Sequence, residues 1–414
     1  MINKTKKRLM NLLKYAQSNV PYYEEVLQDK NITIDTVEDI FYGLNFMKKA
    51  YIKKNYSNVI SKELACEELS EIWNFETRNY DKDYNYELNN KNIVAEYTSG
   101  TTGTPLVVVK SDFERLILGK EMWKMRSRIG NNNAKDMFQF IHNSNGENPF
   151  EFYSDDYFEQ KAEELKYLKK KNYKWWHIFP SMLEGYAYVA ENKNIHMDNL
   201  IGIESNGAYM SSEEKSRYER IFDCKIADNY GCKEIWNIAY ENEQGLLSIN
   251  NDVIFELVDD NGNIIENYEE EGYIVITSLV LKNMPFIRYY LGDMAKYVKN
   301  VRTDGSEEKC IEVLPGRYKI YGTQEYGNRF FREITIDLIQ QYNMKMIQSV
   351  YVVEKEPQKF IVNIAGCSQC HEEVKKNFVE CLGMYQRIDS SNWNIDFTFE
   401  DDVKQKSMFV SLVK

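Results

Sequence analysis

Histidine is scarce in this sequence: His142, His177, His196 and His371 are the only four in 414 residues, and they lie far apart. A histidine-rich metal centre has little to draw on, because such sites gather several N and S ligands. Cysteine offers no framework either. Seven residues, odd in number and scattered, read as reduced, mostly buried thiols rather than disulfides. Cys367-Ser-Gln-Cys370-His371 has the spacing of a c-type haem attachment site, but that chemistry belongs to exported proteins and the amino-terminal stretch has no long apolar region. As a zinc knuckle it lacks a second ligand pair. No apolar run approaches the ~18 residues of a spanning helix. Positive charge is in deficit as well. Lys+Arg 52 against Asp+Glu 64 gives −12, which argues against a general nucleic-acid or anionic-membrane surface, since both need a dense cationic face. A cytoplasmic protein without nucleic-acid or membrane partners is expected.

What is present is apolar material. At 43% hydrophobic and 14% aromatic, the chain can fill cores and ligand pockets, which excludes disorder, collagen and low complexity. Its length exceeds what one core usually serves, so two domains, or one with a lid, are expected. Apolar residues recur at helical spacing from Met10 until Pro21 ends the helix, and helices and loops fill the region to about Asn92, with Asp81 to Asn92 read as a solvated loop. Ile93–Tyr97 and Leu106–Val109 read as strands flanking a loop, followed by a helix from Phe113 to Ile129. Strands at 137–141, 175–179 and 199–204 alternate with helices such as Ser211 to Phe222, where Ser211 and Glu214 have capping-box spacing. This alternation predicts a layered α/β sheet. From Leu246 short strands and an Asp260-Asn-Gly262 turn predict a β-rich subdomain. The last ~97 residues, after Pro315-Gly-Arg, have the content of a small α+β domain. The expected division is a large domain, 1–316, and a small C-terminal one, 317–414.

The strongest local signal is Tyr97-Thr-Ser-Gly-Thr-Thr-Gly-Thr-Pro105. Gly100 and Gly103 let backbone N–H groups approach an anion, while Thr98, Ser99, Thr101, Thr102 and Thr104 supply hydroxyl donors, a composition suited to phosphate oxygens. A solvated turn rarely has this hydroxyl density directly after a buried strand. It is not a Walker loop, because the Gly-Lys-Ser/Thr ending is missing.

With this loop the chain resembles the adenylate-forming (AMP-forming) ligases, and more closely their phenylacetate-CoA ligase-like branch, including relatives from capsular-polysaccharide loci. The likeness spans nearly the whole chain. It starts at Leu13-Lys-Tyr-Ala-Gln-Ser-Asn-Val-Pro-Tyr-Tyr23 and runs through the loop to Asn206-Gly-Ala-Tyr209 and Asp228-Asn-Tyr-Gly-Cys-Lys-Glu234. It continues in Gly272–Thr277, Pro285-Phe-Ile-Arg-Tyr-Tyr-Leu-Gly-Asp293 and Gly316-Arg-Tyr-Lys319, in the family's order. The resemblance implies that Gly207, Ala208 and Tyr209 line the adenine site, that Tyr230 packs on the ring, and that Asp228 and Asn229 are its polar neighbours. Asp293, in a corner after a strand, would accept both ribose hydroxyls, with a surface-turn role as the alternative. Glu234, at an expected helix start, would hold Mg²⁺, the alternative being compensation of a helix dipole. Arg317 would meet ribose and phosphate, and Lys319 would be the hinge of a small mobile domain. Lys406 aligns with the family's catalytic lysine, although Gln405 replaces the usual glycine and Lys404 is a rival. Leu106 stands where many members have lysine, with Lys110 as a stand-in.

The implied activity is ATP-dependent activation of a carboxylic acid to an acyl-adenylate, with Lys406, Glu234 and Thr98 as catalytic residues, and then transfer to a thiol, CoA first among acceptors. A carrier protein, a protein cysteine or an amine stays open as acceptor, as do a homodimer and a nucleotide-binding protein without turnover. His177, Phe179 and Pro180 are expected in the acid pocket, where aromatic walls suit an aryl or apolar acid. The Trp175–Ser181 segment reads equally as a core strand.

Overall fold

A computed structural model describes residues 1–64, 84–88, 91–98, 106–128, 130, 133–140, 157–207, 210, 212–302, 305–314, 319–321, 324–326, 328–344, 347, 349–366, 370–384, 388–400 and 410–413. Two compact units share the chain. The first takes Met1–Asn132, Ser144–Gly146 and Asn229–Leu314, and the second Asn133–Asn143, Glu147–Asp228 and Pro315–Lys414.

In the first unit, helix Asn3–Asn19 buries Leu9, Leu12, Leu13 and Ala16, a stripe at i, i+3, i+4 and i+7. Pro21 plays a double part: the helix stops at Asn19, and the proline opens the next helix, Pro21–Val26, where its missing N–H leaves no bond unmade. Arg8 pins the first helix to the β-rich half through Asp252 Oδ1 (2.6 Å) and the Asn251 carbonyl (3.0 Å). Strands Ile264–Ile265, Val253–Val258, Glu271–Ser278, Tyr289–Val301, Glu307–Val313, Leu247–Ile249 and Ala239–Glu241 neighbour one another in that order, every pair antiparallel. This is the β-rich subdomain. A separate antiparallel sheet joins Tyr84–Leu88, Lys91–Tyr97 and Val107–Ser111. The solvated loop expected over Asp81 to Asn92 is corrected here: Tyr84–Leu88 is a strand, because it completes the hydrogen-bonding edge of Lys91–Tyr97.

In the second unit, strands Met137–Gln139, Trp175–Ile178 and Gly202–Asn206 run parallel. Helices Tyr157–Lys171, Pro180–Lys193 and Ser212–Phe222 share one core with them. Beyond Lys319 a mixed sheet orders Asn394–Glu400, Lys359–Ala365, Ser349–Glu356 and Val410–Val413. Helices Asn328–Gln341 and His371–Met384 close its own hydrophobic cluster, from Phe330 to Ile388. Phe158 packs against both clusters. The architecture is the expected mixed α/β fold with a large sheet system and a small C-terminal mixed sheet. No described helix is long and apolar enough to cross a membrane.

Candidate functional site

Strand Lys91–Tyr97 delivers the chain to Thr98, and strand Val107–Ser111 takes it away after Leu106. Two bonds close the base of the intervening loop: Thr98 N–H donates to the Leu106 carbonyl (3.0 Å), and the Leu106 N–H donates to Thr98 Oγ1 (2.9 Å). The Lys49 ammonium donates to the same hydroxyl oxygen at 3.2 Å. Both contacts use the oxygen as acceptor, which leaves the Thr98 O–H as a donor. Lys49 opens helix Lys49–Lys54, and the strand before it, Met47–Lys48, runs parallel to Tyr289–Tyr290. Lys49 is a residue the sequence reading missed; nothing local distinguishes it among the lysines of its segment. Ser99, Gly100, Thr101, Thr102 and Gly103 lie outside the described residues.

Tyr230 and Asp293, predicted from separate motifs, are brought together: the tyrosine hydroxyl donates to Asp293 Oδ2 at 2.8 Å. Asp293 does not follow a strand, as expected, but sits within Tyr289–Val301. Met294 opposes Tyr273 and Tyr290 opposes Val275, so Leu291, Gly292 and Asp293 face the single Ile274. Gly292, at φ +84°, makes this bulge, which presents the carboxylate to solvent. Asn229 is buried and takes the Asn237 amide (2.7 Å), part of a ladder that includes Asn250.

Glu234 is not at a helix start. Residues 231–238 form the connection between Lys225–Tyr230 and Ala239–Glu241, closed by Ile238 N–H to the Tyr230 carbonyl (2.9 Å) and Trp236 N–H to the Cys232 carbonyl (2.7 Å). Trp236, at φ +65°, is left-handed and ends any helical course. A Cβ on Gly231 would lie 1.7 Å from the Trp236 carbonyl oxygen, so the turn admits only glycine there. Glu234 is therefore no helix-dipole residue. Its buried Oε1 accepts the Tyr289 hydroxyl at 2.8 Å. Burial first, and the Glu234 carboxylate second, push the Tyr289 pKa up, which keeps that hydroxyl a fixed donor. Lys110, considered as a loop lysine, is fully buried and ion-paired with Glu96 at 2.8 Å. The signal for that pair was available: Glu96 and Lys110 are the charged residues inside two otherwise apolar runs, Ile93–Tyr97 and Val107–Lys110.

In the second unit, Trp175 and Trp176 are core residues, 1% and 0% exposed, so the core reading holds for them. His177, between them and Ile178, keeps partial exposure; its Nε2 lies 2.7 Å from Asn206 Nδ2 and 3.3 Å from the buried Glu204 carboxylate. Phe179 caps helix Pro180–Lys193, with Pro180 at its first position. A Cβ on Gly207, which has φ +76°, would lie 2.2 Å from the Phe179 ring, so the glycine lets strand and ring meet. The structure thus brings His177 to Asn206 and Phe179 to Gly207. Asp228 is half-buried at the last position of this unit, one residue before Asn229. Ala208, Tyr209, Ser211, Arg317, Lys404, Gln405, Lys406 and Cys367 lie outside the described residues, and Lys319 is described only as backbone of strand Lys319–Tyr321. No group of three or more His, Cys, Asp or Glu among the described residues could hold a metal ion.

The fold has solved counterparts. Over 98% of this chain and 88% of the other, the structure superimposes on 2-hydroxyisobutyryl-CoA ligase in the postadenylation state with 2-HIB-AMP, at TM-score 0.60 and 13% identity. The same ligase with 2-HIB-AMP and CoA in the thioesterification state aligns at TM-score 0.57 and 15% identity, over 98% and 89% of the two chains. The chain has the fold of the adenylate-forming ligases. Among curated proteins, CapK of Staphylococcus aureus is 27% identical over 162 residues, 37% of this chain and 33% of that protein, a match spanning about a third of its length. No family model matches the chain.

Proposed function

We propose that the protein is an ATP-dependent, AMP-forming ligase of the phenylacetate-CoA ligase-like branch, which activates a carboxylic acid, aryl or apolar, to an acyl-adenylate and passes the acyl group to a thiol, CoA first. The observation that supports it best is the Tyr230–Asp293 bond, which joins two motifs 63 positions apart that were assigned separately to adenine and ribose. In this reading Thr98 and the loop 99–103 bind phosphate oxygens through N–H and O–H donors, and Lys49 adds a cation at the loop base. Asp293 accepts from the ribose. Asp228, Asn229, Gly207, Ala208 and Tyr209 complete the nucleotide's surroundings, and Arg317 serves ribose and phosphate.

Glu234 alone cannot cage a metal, but one buried carboxylate suits Mg²⁺ arriving with the nucleotide, whose other ligands are phosphate oxygens and water. The ion would supply charge neutralisation at the phosphates; Glu234, held by Tyr289, would supply its anchor. His177 and Phe179 border the acid. Residues 317–414, with a hydrophobic core of their own, act as the small lid, Lys319 as hinge, and Lys406 as the charge brought to carboxylate and α-phosphate. Pyrophosphate release on a panel of carboxylic acids, with hydroxylamine trapping of the adenylate, tests the reading. Turnover with at least one acid is expected, and Lys406→Ala should slow adenylation at least ~10²-fold while sparing thioester formation from pre-formed adenylate. ATP binding without turnover for any acid would overturn the ligase assignment, and selective loss in Lys404→Ala would move the catalytic lysine by two positions.

A further inference from the structure

The Glu96–Lys110 ion pair lies where two strands meet, and its contacts run in one direction. Lys110 opposes Val94 and Glu96 opposes Val108, so the two are diagonal neighbours on one face of the hairpin whose far end is the Thr98–Leu106 base. Their side chains are 0% and 1% exposed, 2.8 Å apart. Each then reaches the connection that holds Glu234: the Lys110 ammonium donates to the Lys233 carbonyl at 2.8 Å, and Glu96 Oε2 accepts the Trp236 indole N–H at 2.9 Å. The two contacts bracket Glu234, one residue before it and two after. Arg115 Nε approaches the other oxygen, Glu96 Oε1, at 3.3 Å, and its guanidinium lies 5.5 Å from the Trp236 ring.

We propose that Glu96 and Lys110 are positioning residues that fix the Glu234 carboxylate relative to the Thr98–Leu106 base of the hairpin, so that metal and nucleotide bind as one unit; this rests on the assignment of Glu234 to Mg²⁺. A buried ion pair is a poor source of stability, because desolvation offsets most of its attraction. What it supplies is placement: charged hydrogen bonds in a low-dielectric setting are short, directional and costly to rearrange. Here they bind the hairpin to a segment more than 120 positions away in sequence, at both flanks of Glu234.

The test is the Mg²⁺ dependence of ATP binding, measured by calorimetry with and without the metal. In the parent, Mg²⁺ should tighten ATP binding, and Glu234→Gln should abolish that gain. The double variant Glu96→Gln, Lys110→Met removes both charges, leaving neither one stranded in the core. It should lose about tenfold of the Mg²⁺-dependent gain, as partners of metal ligands do, with metal-free ATP affinity unchanged. If the double variant does not fold, Trp236→Phe, which deletes the indole donor while keeping an aromatic ring, should show the same selective loss. Equal weakening with and without Mg²⁺, or a full gain in the double variant and in Trp236→Phe, would overturn the proposal while leaving the ligase reading intact. A Glu234→Gln protein that keeps the parent's gain would overturn the metal assignment itself, and the proposal with it.

Discussion

Asp293 stands on an exposed bulge, so removing its carboxylate deletes an acceptor without opening the core. Asp293→Ala should bind ATP roughly tenfold or more weakly, since losing a hydrogen bond to a charged group costs about 1.5–3 kcal/mol, and should melt close to the parent. Calorimetric titration beside a melting curve checks both; an unchanged dissociation constant in the folded variant would remove Asp293 from the site. At this scale the sequence was legible where chemistry is local. The two strands that flank the Thr98–Pro105 stretch were readable, whereas Leu-Gly-Asp suggested a corner after a strand and is a bulge within Tyr289–Val301. It was illegible where a residue's role depends on what lies far along the chain. Lys49 meets Thr98 across 49 positions. The helix start expected at Glu234 failed because nothing in Gly-Cys-Lys-Glu signals that Trp236 will turn left-handed.

A strand is also a way of aligning charges, and the hairpin Lys91–Tyr97 with Val107–Ser111 should report its ion pair through acid unfolding. Burial pushes the Glu96 pKa up, yet the Lys110 and Lys233 charges and the Lys110 and Trp236 hydrogen bonds outweigh it, and the net shift is below the ordinary 4.5. A depressed carboxylate pKa contributes stability above the unfolded value, and that stability is lost as pH falls through the folded value. The parent's melting temperature should therefore fall more steeply below about pH 4.5 than that of Glu96→Gln, which has no carboxylate to protonate at that position. Parallel acid limbs would mean that Glu96 titrates alike in both states. The periodicity of these strands was readable, but their third partner was not. Tyr84–Leu88, within the Asp-, Asn- and Tyr-rich stretch Asp81 to Asn92, looked solvated because an edge strand is chosen by the backbone it pairs with more than by its own side chains.

In the molecule as a whole, composition predicted ample core material, and the described residues place it in three clusters, one in the first unit and two in the second. Phe158 packs against both clusters of the second unit, and its ring lies 4.7 Å from that of Tyr188, tilted by 40°. Phe158→Ala should cost ~2 kcal/mol and split or broaden the calorimetric unfolding of that unit, because a half-buried aromatic shared by two cores couples them. A uniform shift with unchanged shape would mean that the coupling runs elsewhere. The first unit is assembled from stretches far apart in the chain, and this matters while the protein is being made. Arg8 bonds Asp252 across 244 positions. At about 5–20 residues per second, a ribosome needs roughly 10–50 s to synthesise the stretch between those partners, and until then the apolar stripe of helix Asn3–Asn19 has nothing in the β-rich half to cover it. Vectorial synthesis thus imposes a waiting period on the nascent amino-terminal helix. A chaperone that recognises exposed leucine-rich helices would find its substrate in that interval, well before any nucleotide could bind.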